Sequence, residues 1–291
     1  MEKMNHEISA VNRDIDLIIA QKPYIAAMLD AFRPIILEKN RLLRTMAGSR
    51  TTLAVDEVKY RGGIPLIQQC RLFLPEDPWQ EMALGVTGAI RTGFPHLAGD
   101  MEHLAEQLKD GLVDPYDYFR SPADPGENQI KAWAEKMPIA PGALSFFISI
   151  MTRIILTKRA REAAAAIAHL PWDKGYCPVC GSFPMLAVTR EKGQKWLQCS
   201  QCSHEWLFPR LRCPACDHEN PQETNYQYVD NEKNEQAFTC GNCRKYLITI
   251  NRPADLKKSD PDITAISLAH LDLLLQNQGF TPMSACAWNT F

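Results

Sequence analysis

No apolar run in the 291-residue chain reaches the roughly 18 residues that a membrane span requires. An excess of one charge is missing as well: 32 Lys+Arg stand against 34 Asp+Glu, a formal net charge of −2. That balance argues against a surface built throughout to hold polyphosphate. The N-terminus carries Glu2, Lys3, Arg13, Asp14 and Asp16, so it has no uninterrupted apolar core for a secretory signal, and the cytoplasm is the expected location. There is no P-loop, G-x-S-x-G elbow, H-E-x-x-H pair or dinucleotide fingerprint, and enzymatic catalysis is not expected. With 45% hydrophobic and 23% charged residues the composition is that of a globular chain, long enough for about two domains.

Ten cysteines are present and they are unevenly placed. Eight lie between Cys177 and Cys243 as four C-x-x-C pairs: Cys177/Cys180, Cys199/Cys202, Cys213/Cys216 and Cys240/Cys243. Cys70 and Cys286 stand alone. A disulfide framework belongs to an oxidising compartment that this N-terminus does not indicate. A thioredoxin-type pair occurs once, at a strand-to-helix junction, not four times. Metal binding is left. Two cysteines three apart on a tight turn aim both sulfurs at one point, and two such turns complete a tetrahedral tetrathiolate at about 2.3 Å per bond. The first half reads C-x-x-C, 18 residues, C-x-x-C, and the second carries 23 residues between its pairs, offset by 36 from the first. The first is a zinc-ribbon or rubredoxin-like spacing.

The segments between the pairs read as hairpins. Met185–Thr189, the turn Glu191–Gln194 and Lys195–Leu197 form one; Thr224–Val229, a polar stretch Asp230–Gln236 and Ala237–Thr239 form the other. Trp206–Phe208 and Tyr246–Ile248 add a third strand to each half, so the halves look like copies of one module. The expected ligand sets are sequential: Cys177, Cys180, Cys199 and Cys202 for one metal, Cys213, Cys216, Cys240 and Cys243 for the other. An interleaved cross-brace is the alternative. His204 and His218 lie beside the turns but are not needed as ligands, because eight thiolates fill two tetrahedral sites. Tetrathiolates accept iron and zinc alike. Iron would make each site a one-electron centre; zinc would leave it structural.

The remainder of the chain has helical periodicity. Ile8, Val11, Ile15, Ile18 and Ile19 form one face up to Pro23; Tyr24–Leu43 follows with a kink or break at Pro34. Leu97–Leu108 and Leu144–Ile155 form two more, the last running on through Arg161–His169 to Pro171. Loops are expected at Gly62–Pro65, Pro75–Pro78 and Ser121–Gly126. A final helix over Thr264–Gln276, apolar around much of its circumference, is expected to pack against the N-terminal helices or a partner. The expected fold class is multidomain α+β: an all-helical domain over 1–170, rubredoxin-like modules over 171–211 and 212–252, and a C-terminal helix and tail over 253–291.

The motifs Cys177-Pro-Val-Cys-Gly-Ser-Phe-Pro184, Leu197-Gln-Cys-Ser-Gln-Cys-Ser-His-Glu-Trp206, Arg212-Cys-Pro-Ala-Cys216 and Cys240-Gly-Asn-Cys-Arg-Lys-Tyr-Leu247 resemble the formate dehydrogenase accessory protein family, FdhE. The resemblance covers about residues 171–291 and is weaker over Ala285–Phe291. It implies a helical N-terminal domain, two rubredoxin-like modules binding two iron ions through the eight paired cysteines, and a cytoplasmic assembly chaperone required for active formate dehydrogenase. It also implies contact with that enzyme's catalytic subunit and a role in sensing or adjusting its redox state. Two other classes compete with this reading. A nucleic-acid-binding zinc ribbon should carry a basic surplus, yet residues 171–252 hold 10 Lys+Arg and 9 Asp+Glu before the thiolates are counted. A rubredoxin-like electron carrier leaves the large helical half without a task.

Overall fold

The computed structural model describes residues 2–48, 53–119, 126–190, 193–229, 232–251 and 260–290. The expected loop over Ser121–Gly126 and the turn residues Glu191, Lys192 and Asp230 lie wholly or mostly outside them. The chain divides into two compact units, Met1–Thr52 with Arg71–Lys158 and Leu53–Cys70 with Arg159–Phe291.

The first unit is helical: α1 (Glu2–Gln21), α2 (Ala26–Thr45), α4 (Trp79–Gly93), α5 (Ala98–Lys109), α6 (Glu127–Lys136) and the first part of α7 (Pro141–Ile167). A short α3 (Glu57–Arg61) belongs to the second unit. Pro23 opens a 3₁₀ turn between α1 and α2, while Pro34 is accommodated inside α2 without ending it. Helical periodicity in the sequence does not single out α4. Its buried residues Trp79, Met82, Ala83, Val86, Ala89 and Ile90 keep strict helical spacing, but Gly85, Gly88 and Gly93 lower its intrinsic propensity. Gly93 is there for proximity: a Cβ on it would stand 2.0 Å from the Ala31 carbonyl oxygen of α2. Phe94 closes the seam, its ring 5.1 Å from both Phe32 and Phe146. The stripe Leu144, Phe147, Met151, Ile154 and Ile155 of α7 is buried throughout. Side chains of this size contribute about 1.5–3 kcal/mol each when fully removed from water.

The second unit is built on a mixed sheet. Its strands are β1 (Pro184–Thr189), β2 (Lys195–Cys199), β3 (Glu205–Phe208), β4 (Thr224–Val229), β5 (Glu232–Cys240), β6 (Lys245–Asn251) and the short β7 (Thr281–Pro282). The order is β3-β2-β1-β6-β5-β4, with β7 beside the start of β6. Each half is an antiparallel three-stranded ribbon, and the two are joined by a parallel pairing of β1 with β6, Leu186 opposite Ile248. The two modules therefore share one sheet, which the sequence reading did not anticipate. β1 lies at the seam, and Met185–Val188 are all buried, as a strand covered on both faces requires. The polar stretch before Ala237 is strand rather than turn: Glu235 and Gln236 pair with Ile250 and Thr249.

The final helix is divided. α8 (Pro261–Ile266) starts at the Asp260 cap and α9 (Ala269–Asn277) follows after a break at Ser267-Leu268. α9 packs on β6 and β7, and its Asp272 accepts a 2.6 Å hydrogen bond from the Tyr246 hydroxyl. The apolar circumference seen in the sequence is covered in part by this sheet, while Leu273 and Leu274 remain exposed.

Candidate metal centres

All four C-x-x-C pairs fold into the same turn. The residue after the second cysteine of each pair takes a left-handed conformation: Gly181 (φ 79°), Ser203 (56°), Asp217 (57°) and Arg244 (57°). Only the first is glycine, and each of the others accepts roughly 1–2 kcal/mol of backbone strain. A strain repeated at equivalent positions indicates a shape that the turn requires. Within these turns N–H groups point at sulfur, Val179 to Cys177 at 3.4 Å, Gln201 and Cys202 to Cys199 at 3.3 and 3.4 Å. A backbone bond also closes three of the four ligand loops: Cys177 N–H to Ser182, Cys199 to His204 and Cys213 to His218, all 2.9 Å.

The eight cysteines gather in two clusters, Cys177, Cys180, Cys199 and Cys202 in one, Cys213, Cys216, Cys240 and Cys243 in the other, the sulfurs of each within 4.8 Å of one another. The grouping is sequential rather than interleaved. Four thiolates at about 2.3 Å from a central ion would lie about 3.8 Å apart. In the second cluster Cys213–Cys243 and Cys216–Cys240 are 3.7 and 3.8 Å. In the first, Cys177–Cys202, Cys180–Cys199 and Cys180–Cys202 are 3.4, 3.3 and 3.7 Å, slightly contracted. Both donor sets fit a tetrahedral thiophilic ion and could hold one.

Charge in the clusters follows from burial. Desolvation drives the Cys177 and Cys202 thiols well above the ordinary thiol value, while hydrogen bonds from Cys177, Cys199 and Cys202 hold Cys180 well below it. In the second cluster burial opposes ionisation of Cys216, but the Asn242 amide, the His218 backbone N–H and the neighbouring thiols bring it down to about 7. Burial carries Cys243 up to about 11. Without a cation each cluster stabilises one thiolate at its neighbours' expense; a divalent ion would displace the remaining protons.

Neither histidine joins a cluster. Burial lowers the His204 imidazole below its usual value, and His218 sits 2.7 Å from Glu223. Cys70 and Cys286 are outside both groups and half-buried. Several residues that support the centres gave no sequence signal of that role. Leu66 and Ile67 donate backbone bonds of 2.9 Å to Pro178 and Val179 inside the first turn, and the Tyr176 hydroxyl donates to Gly63 at 2.7 Å. The Gly62–Pro65 loop thus lies on the first centre. Lys195, on β2, is buried: its ammonium stands 4.3 Å from the Phe238 ring and 3.5 Å from the Arg212 carbonyl, next to Cys213.

The family model described as FdhE, central domain, matches residues 176–210, the first ribbon and its cysteines. The FdhE homologue of Citrobacter koseri is 27% identical over 80% of this chain and 72% of its own length. These matches support the FdhE family as the one this chain resembles. The homologue of Aquifex aeolicus is 32% identical over 49% of this chain, an alignment spanning half of that relative's length. FdhE of Salmonella choleraesuis is 27% identical over 72% of this chain and 65% of its own. The crystal structure of FdhE from Pseudomonas aeruginosa matches with a TM-score of 0.61 at 19% identity, covering 96% of this chain and 93% of that one. The fold is therefore that of FdhE, with the helical N-terminal part, the mixed sheet and both cysteine clusters. Among the described residues no single helix is long and apolar enough to cross a membrane.

Proposed function

We propose that this FdhE-like chain is a cytoplasmic accessory factor for formate dehydrogenase, a non-enzymatic chaperone that engages the catalytic subunit before assembly. In this reading Cys177, Cys180, Cys199 and Cys202 hold one iron ion and Cys213, Cys216, Cys240 and Cys243 hold a second. Iron would supply one-electron chemistry at each centre, suited to sensing or adjusting the client's redox state; zinc is the alternative metal and would make the ribbons purely structural. The observation that carries the reading is the pair of four-sulfur clusters at tetrathiolate spacing in a chain that resembles this family. Four thiolates saturate a tetrahedral ion and leave no open position for substrate, which favours a centre that senses or scaffolds over a Lewis acid.

Deletion of the gene tests the role. Formate dehydrogenase subunits should still be synthesised while their activity is lost, and the wild-type gene should restore it. Activity that survives deletion refutes the accessory role. Metal analysis of anaerobically purified protein should give about two irons per chain, without acid-labile sulfide and with thiolate-to-iron charge-transfer bands on oxidation. Two zincs in a colourless protein would refute the iron assignment and leave the accessory role to the deletion experiment.

A further inference from the structure

We infer that the two clusters are unequal: the first is a locked centre, and the second is the one that exchanges its metal with solvent-borne acceptors. The inference rests on the reading of both clusters as metal centres.

Burial separates them first. Cys177, Cys180, Cys199 and Cys202 are 0, 9, 0 and 1% exposed, whereas in the second cluster only Cys213 and Cys240 are fully buried. Cys216 and Cys243 are half-buried, and the residues between Cys240 and Cys243, Gly241 and Asn242, are exposed. An incoming chelator therefore meets two half-buried cysteines at the second centre and only buried ones at the first.

Tertiary bonds to the turns separate them further. Both turns of the first cluster are held by chain segments far away in sequence. Leu66 and Ile67 donate to Pro178 and Val179, and the Pro65 ring lies 3.4 Å from the Cβ position of Gly181. The other turn is held at Ser200, whose hydroxyl accepts a 2.8 Å bond from Ser284 and whose N–H donates to Phe183. At the second cluster the Cys240 turn is tied outside itself as well, its Gly241 N–H donating to Glu223 at 2.7 Å and the Thr281 N–H donating to Arg244 at 2.9 Å, while the Cys213–Cys216 turn receives the exposed Asn242 amide, which donates to Cys216 at 3.5 Å. A ligand leaves its metal only when its turn opens. Opening either turn of the first centre breaks two such hydrogen bonds, whereas opening the Cys213–Cys216 turn of the second breaks the single one from Asn242. At about 1 kcal/mol for a bond, one more bond on the turn that opens first slows exchange at the first centre by about fivefold, before its deeper burial is counted.

The test uses the full chain loaded with two zinc ions and challenged with excess EDTA, release being followed with a chromogenic chelator. N-ethylmaleimide labelling, mapped by peptide mass spectrometry, is taken at the end of the first phase. One zinc per chain should leave at least about fivefold faster than the other, with Cys213, Cys216, Cys240 and Cys243 labelled and the other four protected. Ile67→Pro, which removes the N–H given to Val179, should accelerate the slow phase and leave the fast one unchanged. A single release rate for both metals, or earlier labelling of the first cluster, overturns the inference while the accessory role stands. A chain that takes up no zinc overturns the inference together with the metal reading beneath it.

Discussion

Replacing Gly175 by alanine would put a methyl carbon 1.9 Å from the carbonyl oxygen of Pro214, 2.5 Å from its carbonyl carbon and 2.6 Å from its Cα. Real contacts of this kind begin above 3 Å, so Pro214 would have to retreat by roughly 1 Å. It cannot swing aside as a side chain would, because the obstacle is backbone between Cys213 and Cys216. Overpacking of a well-fitted site costs about 1–3 kcal/mol, and a backbone obstacle places this substitution near 3. That corresponds to about a 100-fold change in the equilibrium that bears it. Because the displaced turn carries two of the second cluster's sulfurs, zinc affinity there should fall by about that factor while the first cluster keeps its own. Competition with a chelator of known affinity measures both sites, and urea unfolding of the zinc-loaded chain measures the total. Two unaltered affinities with an unaltered unfolding midpoint would show that the approach of Gly175 to Pro214 constrains nothing, and the reasoning would fail.

Four other substitutions have defined outcomes. Gly181→Ala forces a left-handed residue to carry a side chain with only ordinary contact nearby, and should destabilise the zinc-loaded protein by about 1 kcal/mol; Ser203→Gly relieves the equivalent strain and should raise the urea midpoint, by up to about 1 kcal/mol. Burial lifts the Asp272 carboxyl to about 6, above its ordinary 3.8. The folded state thus binds the proton more tightly, so this group's contribution to stability is full below pH 3.8 and is lost as pH rises through 6, by up to about 3 kcal/mol. Asp272→Asn should remove that slope and be the more stable protein at pH 8, as urea unfolding at pH 5 and pH 8 would show. Lys195→Met deletes a buried cation beside a cluster that becomes anionic when loaded. Burial lowers that ammonium to about 7, so zinc affinity at the second cluster should fall more at pH 6, by up to about tenfold, than at pH 8. An unchanged affinity would show that the ammonium does not act on the metal.

The cysteine spacing and the strand–turn–strand pattern between the pairs placed β1, β2 and β3 and grouped the sulfurs correctly, because a C-x-x-C turn and its hairpin are local objects. Helical periodicity marked α1, α2, α5 and α7 for the same reason. What escaped was decided by partners distant in the chain. α4 hid behind three glycines whose use, a close crossing of α2, is visible only once Ala31 lies against Gly93. The β1–β6 pairing joins strands of different modules, and no residue in either strand announces it. The Gly62–Pro65 loop read as punctuation, yet its neighbours Leu66 and Ile67 supply donors to a turn more than a hundred positions later. Ser267-Leu268 divides the final helix without proline or glycine, so periodicity ran straight through it.

The parallel seam also sets an order of events during synthesis. Leu186 on β1 pairs with Ile248 on β6, 62 positions further along the chain. At about 5–20 residues per second the ribosome needs roughly 3–12 s to deliver that partner. Throughout the interval the apolar run Met185–Val188 presents an unpaired edge, the kind of surface that recruits strands from other chains. A message cut just after Cys243 would encode every paired cysteine and still leave that edge bare. Such a truncated product is expected in the insoluble fraction however much metal the medium contains.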